Sequence, residues 1–196
     1  MTKHIYFFRH GETQANVEQR LMGGRLDSSL TEKGIRQAQA LAEALKTLEF
    51  DVFFVSSNTR AQETASILIG SRTVPLVVTE ALKEQDFGLM TGKLMNEIPA
   101  SVDAAYIQDP YYFHHVEGES LDDVKMRAGA FMEQIMSQEY QHIAIVTHEN
   151  VIKAAIAYMK GFDREAVIMR IPYCSMTHYT RDHNKQYHAI AVARTY

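Results

Sequence analysis

The sequence predicts an α/β fold, a three-layer sandwich around a mostly parallel central sheet. Two observations carry it: short apolar runs of strand length recur along the chain, and each gives way to a polar segment and then a helical one. Ile5-Tyr6-Phe7-Phe8 is the first run, breaking off at Arg9-His10-Gly11-Glu12-Thr13. A helix follows from Thr31, which can cap it, with Ile35, Ala38, Leu41, Ala42 and Leu45 recurring on one face. Val52-Phe53-Phe54-Val55 is the second run; it passes through Ser56-Ser57-Asn58-Thr59-Arg60 into a helix carrying Ala61, Thr64, Ala65 and Leu68. Ile143-Ala144-Ile145-Val146 repeats the pattern, ending in Thr147-His148-Glu149-Asn150 before a helix with Val151, Ile152, Ala155, Ile156 and Met159. Ala191-Val192-Ala193 and the residues around Tyr179 offer further strands. Residues 82–118, with Gly88, Gly92, Pro99 and Pro110, read as an irregular excursion above the sheet.

At 196 residues and 46% apolar composition, with no internal repeat and no linker, the chain is expected to form one domain over 1–196. A net charge of −4 without clustered Lys and Arg gives no electrostatic surface for nucleic acid or acidic lipid. The apolar stretch before Arg9 is too short for a signal core or a membrane span. With a lone Cys174, whose neighbours supply no base, this sets the expectation of a cytoplasmic protein with a structural thiol. Self-association is left open.

Ligand sites of such sheets lie beyond the C-terminal ends of the strands, where Arg9-His10, Arg60 and His148 all fall. A neutral imidazole can attack phosphorus, and two guanidinium forks match and neutralise phosphate oxygens. Any one of these residues alone would be read as a solvated strand end or a salt-bridge partner; the set points to phosphoryl transfer without a metal. His114-His115, His178, His183 and His188 lack a coherent ligand spacing, so no metal or other cofactor is expected. Tyr111 and Tyr112 are read as packing aromatics.

Arg9-His10-Gly11-Glu12-Thr13 with Asn16 resembles the hallmark of the histidine phosphatase superfamily, which includes the cofactor-dependent phosphoglycerate mutases. Further segments follow in family order: Gly24 and Asp27, Leu30-Thr31-Glu32-Lys33-Gly34, Ser56-Ser57 with Arg60-Ala61, Leu82-Lys83-Glu84, Gly118-Glu119-Ser120-Leu121, and Thr147-His148. The resemblance implies a phosphoglycerate mutase-like fold and a phosphomonoesterase acting on a small phosphorylated metabolite through a phosphohistidine on His10. It implies a phosphate pocket of Arg9, His10, Asn16, Arg60 and His148, with Glu84 as acid/base and Thr13, Gly24 and Ser57 as supports. Glu12 and Glu119 compete for the Glu84 role.

Family mutases are typically longer around the active site, so a phosphatase similar to α-ribazole phosphatase and the broad-specificity phosphatases is preferred. The alternatives are a mutase-type phosphotransferase and a non-catalytic phosphate-binding regulatory module. Specificity is assigned to the 82–118 excursion, taken as a cap over the substrate. The chain departs from the family pattern at two places. Glu149 stands where many members have Gly, and is expected either to favour a protonated His148 while weakening anion binding, or to face away and complement a helix dipole. Gly23 stands where a Gln is common, removing one substrate-side hydrogen bond.

Overall fold

The computed structural model describes residues 2–161 and 167–196. Its strands are β1 (Lys3–Arg9), β2 (Val52–Ser56), β3 (Leu76–Thr79), β4 (His142–Thr147), β5 (Met176–Arg181) and β6 (Tyr187–Arg194). They form one sheet in the order β3-β2-β4-β1-β5-β6. β1 to β4 run parallel, β5 pairs antiparallel with β1, and β6 antiparallel with β5. The helices are α1 (Gln14–Val17), α2 (Glu32–Ala44), α3 (Thr59–Ile69), α4 (Ala100–Gln108), α5 (Leu121–Met136) and α6 (Glu149–Lys160).

The strand runs are continuously apolar because both sheet faces are covered. Tyr6, Phe8, Phe53, Val55, Ala144 and Val146 pack against α2 and α3 through Ala38, Leu41, Ala61, Ala65 and Leu68. The alternate residues Ile5, Phe7, Val52, Phe54, Ile143 and Ile145 pack against α5 and α6 through Val124, Ala128, Met132, Val151, Ile152 and Ala155. Each fully buried aliphatic or Phe side chain contributes roughly 1.5–3 kcal/mol of transfer free energy. These two layers therefore supply the drive that clamps the sheet in register.

Ile35 departs from expectation: it is 39% exposed, and Gly34 takes the inward position. The reason lies in the close approach of α2 to the loop after β1, since a Cβ on Gly34 would stand 2.1 Å from the Glu12 carbonyl oxygen. The 82–118 excursion is also less irregular than its sequence suggests, because it contains α4, none of whose residues is buried. It is stitched to the loop after α1 by Leu21 N–H to the Lys93 carbonyl (2.9 Å) and Gly92 N–H to the Leu21 carbonyl (2.7 Å). No helix among the described residues is long and apolar enough to cross a membrane.

The topology fixes where chemistry can occur. The connection from β1 leads across β4 to β2, while that from β4 leads across β1 to β5. β1 and β4 thus flank the switch point where a crevice opens at the strand C-termini. Arg9 lies opposite Thr147 in their register, which brings His10 and His148 side by side.

Candidate active site

His10 follows β1 directly, its N–H donating to the Thr147 carbonyl at 3.0 Å. Gly11 N–H donates to Thr64 Oγ1 (3.1 Å), and a Cβ on Gly11 would meet the Gly34 carbonyl oxygen at 2.7 Å. Glycine is therefore required here for α2 to approach. The His10 ring is 3% exposed, and its Nδ1 lies 2.7 Å from the Gly11 carbonyl. A carbonyl only accepts, so Nδ1 carries the proton and Nε2 keeps its lone pair. Burial, then the Arg60 and Arg9 guanidinium groups, hold the His10 pKa well below its ordinary value. The imidazole is neutral and its Nε2 carries the lone pair.

Two arginines and a second histidine stand around it, with the carboxyls of Glu84 and Glu149 in the same cavity. Arg60, 1% exposed at the start of α3, donates Nη1 to the Leu26 carbonyl and to Asp27 Oδ1 (both 3.1 Å) and Nη2 to the Gly23 carbonyl (2.9 Å). Arg9 Nη1 pairs with Glu149 Oε2 at 2.8 Å and donates to the Ile171 carbonyl, while its guanidinium lies 4.1 Å from the Tyr173 ring centre. The His148 ring centre is 5.1 Å from that of His10, and its Nε2 is 2.8 Å from Ser56 Oγ. Arg9 Nε, Arg60 Nε and His148 Nδ1 are buried without a partner among the described residues. Unpaired buried polar atoms are costly, and two guanidinium donors, with a His148 nitrogen that donates when the ring is protonated, suit an anion.

Asn16 lines the same cavity of about 180 Å³ as Arg9, His10, Arg60 and Glu84. Its Oδ1 accepts from Thr13 N–H (3.1 Å) and Thr13 Oγ1 (2.9 Å), leaving the Nδ2 hydrogens for a ligand. Thr13 is thus the N-cap of α1. The Gly24 N–H and carbonyl bind Gln85 O (3.1 Å) and Asn58 Nδ2 (3.3 Å), joining the Arg60-binding loop to the excursion. Ser57 lies in the β2–α3 turn, its carbonyl accepting from Gln62 Nε2 at 2.7 Å; the contact to His148 comes from Ser56.

Glu84 is half-buried in the wall facing His10, and Gln85 N–H donates to its Oε1 at 2.8 Å. Burial raises its pKa, against the pull of that hydrogen bond and of Arg60 and Arg9. Its competitors are engaged elsewhere: Glu12 with Lys33 (2.8 Å) and Thr31 (3.1 Å), Glu119 with Arg127 (2.8 Å). Arg127 also donates to the Ala81 and Glu84 carbonyls (2.9 and 3.2 Å), so the Arg127–Glu119 pair braces the loop carrying Glu84.

Glu149 takes the first of the two orientations expected for it, towards the cavity, but without the expected effect on His148. It faces the cavity but is paired, Oε2 with Arg9 and Oε1 with Lys153 Nζ at 3.0 Å. Burial pushes its pKa up, yet Arg9 and Lys153 outweigh this and hold it below the usual carboxylate range. His148 is not rendered cationic: burial, followed by the repulsion of Arg60, His10 and Arg9, holds its pKa well below normal. At Gly23 the backbone has φ +54°, and a Cβ would meet the Gln85 carbonyl oxygen at 2.7 Å. The missing side chain there accompanies a closer approach of the excursion.

Of the other histidines, His4, His142 and His178 stack on one another away from the cavity, with His4 Nδ1 3.1 Å from His178 Nε2. His114 pairs with Asp123 (3.2 Å) and His188 with Asp182 (3.0 Å), while His178 stacks on Tyr6 with ring centres 4.1 Å apart. Tyr111 is a core residue donating to Asp122 (2.9 Å), and Tyr112 is 62% exposed.

Comparison with known proteins agrees with this geometry. The chain is 33% identical over 168 residues to the adenosylcobalamin/alpha-ribazole phosphatase of Escherichia coli (strain K12), covering 83% of this chain and 82% of that one. It is 30% identical over 178 residues to a 2,3-bisphosphoglycerate-dependent phosphoglycerate mutase of Methylobacterium sp. (strain 4-46), with 85% of each covered. Among solved structures it superposes on Bacillus stearothermophilus YhfR with a TM-score of 0.90 at 31% identity, over 99% of this chain and 98% of that one. The model of the histidine phosphatase superfamily (branch 1) matches residues 5–191. Nearly the whole chain, including both strand-end histidines and the two arginines beside them, is therefore accounted for by one family, and the protein belongs to the histidine phosphatase superfamily.

Proposed function

We propose that this protein is a phosphomonoesterase that hydrolyses a small phosphorylated metabolite through a covalent phosphohistidine on His10. The observation that carries this reading is the His10 tautomer. Nδ1 is spent on the Gly11 carbonyl, leaving Nε2 as a buried neutral nucleophile near two unpaired guanidinium N–H groups and the unpaired Nδ1 of His148, with a protonatable carboxyl at Glu84 in the same cavity.

The phosphoryl group sits against Arg9, Arg60, Asn16 and His148, whose charges and donors stabilise its equatorial oxygens. A dianion there offsets the cationic repulsion on His148 and draws its pKa back up. His10 Nε2 attacks phosphorus, the P–O bond to the alcohol breaks, and the leaving oxygen takes the Glu84 proton. Glu84, now a carboxylate, removes a proton from water; the water oxygen attacks phosphorus, the P–N bond breaks, and orthophosphate leaves with neutral His10 restored. The two guanidinium groups supply the charge that a divalent ion supplies in other phosphatases, so the reaction is metal-independent. The chain acts as one domain over 1–196, capped by the 82–118 excursion, in a cytoplasmic setting.

A released-phosphate screen with phosphorylated metabolites, run with and without EDTA, tests this. Turnover insensitive to the chelator is expected. Activity lost on chelation and restored by a divalent ion would remove the metal-independent mechanism, and absence of any turnover would leave a binding module.

A further inference from the structure

A second cavity, of about 190 Å³, lies under the cap beside the phosphate pocket. That is many times the roughly 10–15 Å³ a single water needs. The two cavities share Leu21 and Phe87 as a common wall. Tyr106 of α4 lines the second cavity and lies within electrostatic reach of Glu84 and Glu149, whose charges add to burial in raising its phenol pKa. The chamber is therefore next to the carboxyl assigned to the leaving group.

Its lining is chemically one-sided. Met90, Met95, Ile98 and Val102 join the shared Leu21 and Phe87, and no Lys or Arg is among the lining residues. The one charged residue there is Asp103, an acid. Inside the chamber a second phosphate or a carboxylate on the substrate would meet no cation and one like charge, after losing its hydration. Arg20, which lines the adjoining phosphate cavity beside Leu21, is engaged by Glu18 (3.1 Å) and the Gly92 carbonyl (2.6 Å). His115 is the exception to the apolar lining. It is 6% exposed, packed against Phe87 and Phe113 with ring centres 5.1 and 5.0 Å away, and both of its ring nitrogens are buried without a partner among the described residues. A neutral imidazole carries one donor and one acceptor, and leaving both unpaired costs on the order of 1–3 kcal/mol each. A hydroxyl, which donates and accepts, satisfies either.

We infer that this chamber binds the leaving group of the substrate, and that this group is an uncharged apolar body, aryl or branched alkyl, bearing a neutral hydrogen-bonding group that pairs with His115. The inference rests on the phosphomonoesterase reading and narrows it: esters whose alcohol carries a second anion are poor substrates.

Comparing two alkyl esters of similar leaving-group basicity isolates the chamber from the chemistry: 2-(2-naphthyl)ethyl phosphate against 3-phosphoglycerate. The apolar ester should have at least a tenfold higher kcat/KM. Val102→Trp, which fills the chamber from α4, should reduce the preference for naphthylethyl over ethyl phosphate at least tenfold. Placing a hydroxyl on the naphthyl ring should improve KM in the wild type and not in His115→Phe. As a reading independent of turnover and of variant folding, 2-(2-naphthyl)ethanol alone should bind the wild-type protein 1:1 by calorimetry. Turnover with equal or reversed preference and no binding of the alcohol overturns the chamber while the phosphatase reading stands. Binding of the alcohol without turnover of any ester upholds the chamber and overturns the phosphatase. Neither binding nor turnover overturns both.

Discussion

Glu149→Gln should move ligand binding and stability in opposite directions. The carboxylate sits one guanidinium away from the proposed phosphate site, its Oε2 2.8 Å from Arg9 Nη1. With phosphorus at about 6 Å from that carboxylate and an effective dielectric near 20, each phosphate charge is repelled by roughly 3 kcal/mol. The Glu149 side chain is 22% exposed. Solvent screening then leaves on the order of 1–2 kcal/mol, equivalent to ~10-fold in affinity. Gln keeps at the Oε1 position an acceptor for the Ile171 N–H (3.3 Å) and for Lys153 Nζ (3.0 Å), but it removes the negative charge paired with Lys153, whose side chain is 9% exposed, and turns an N–H towards Arg9. Breaking that buried pair costs about 3 kcal/mol, which in a chain of this size lowers Tm by roughly 6–12 °C. Inhibition by orthovanadate and thermal unfolding measure the two effects on one preparation. An unchanged or weaker vanadate affinity in a folded variant would refute the electrostatic argument, and an unchanged Tm would refute the role of Lys153.

Glu84→Gln should slow the phosphorylation step of alkyl phosphates by roughly 10²–10⁴-fold and that of p-nitrophenyl phosphate much less, since nitrophenolate leaves without a proton. Single-turnover kinetics separate this from the hydrolysis of phosphohistidine; equal losses for both esters would reassign Glu84 to substrate positioning. Stability should fall with acidity at the opposite end of β1. Burial, then the nearby His4 and His142, lower the His178 pKa to about 4, so the unfolded chain binds its proton first. Stability from this group is whole above pH 6.5 and declines towards pH 4, by about 1 kcal/mol after discounting for its half-exposed position. Urea unfolding at pH 5.0 and 7.5 should show a smaller pH difference in His178→Phe than in the wild type, and an equal or larger difference would contradict the assignment.

The strands that position the site were legible because burial on both faces makes them continuously apolar, as in Phe7-Phe8 and Ile145-Val146. β3 was not, since Leu76, Val77 and Val78 lie 51, 41 and 46% exposed on an edge and alternate with nothing. α4 escaped for a related reason: a helix that buries no residue has no apolar stripe to read. α5 could have been read from its Ser120–Asp123 capping box and the inward residues Val124, Ala128, Phe131 and Ile135. At the site, strand-end position and the family motifs singled out His10, Arg9, Arg60 and His148, which the fold brings together. The contacts that orient them were illegible, because Asp27 reaches Arg60 across 33 residues and Ser56 reaches His148 across 92. The partners of Glu149 were hidden likewise: Lys153 lies one helical turn away, but Arg9 arrives from another strand.

The central claim is the covalent phosphohistidine, and rapid acid-free quenching of the enzyme with ³²P-labelled substrate tests it most directly. The geometry of His10 Nε2 predicts label on the protein at up to one per chain, stable to base and lost in acid. It also predicts that His10→Ala remains folded, takes up no label and has no turnover. Turnover without label in the wild type at any quench time, acid-stable label, or wild-type kcat in His10→Ala would contradict it.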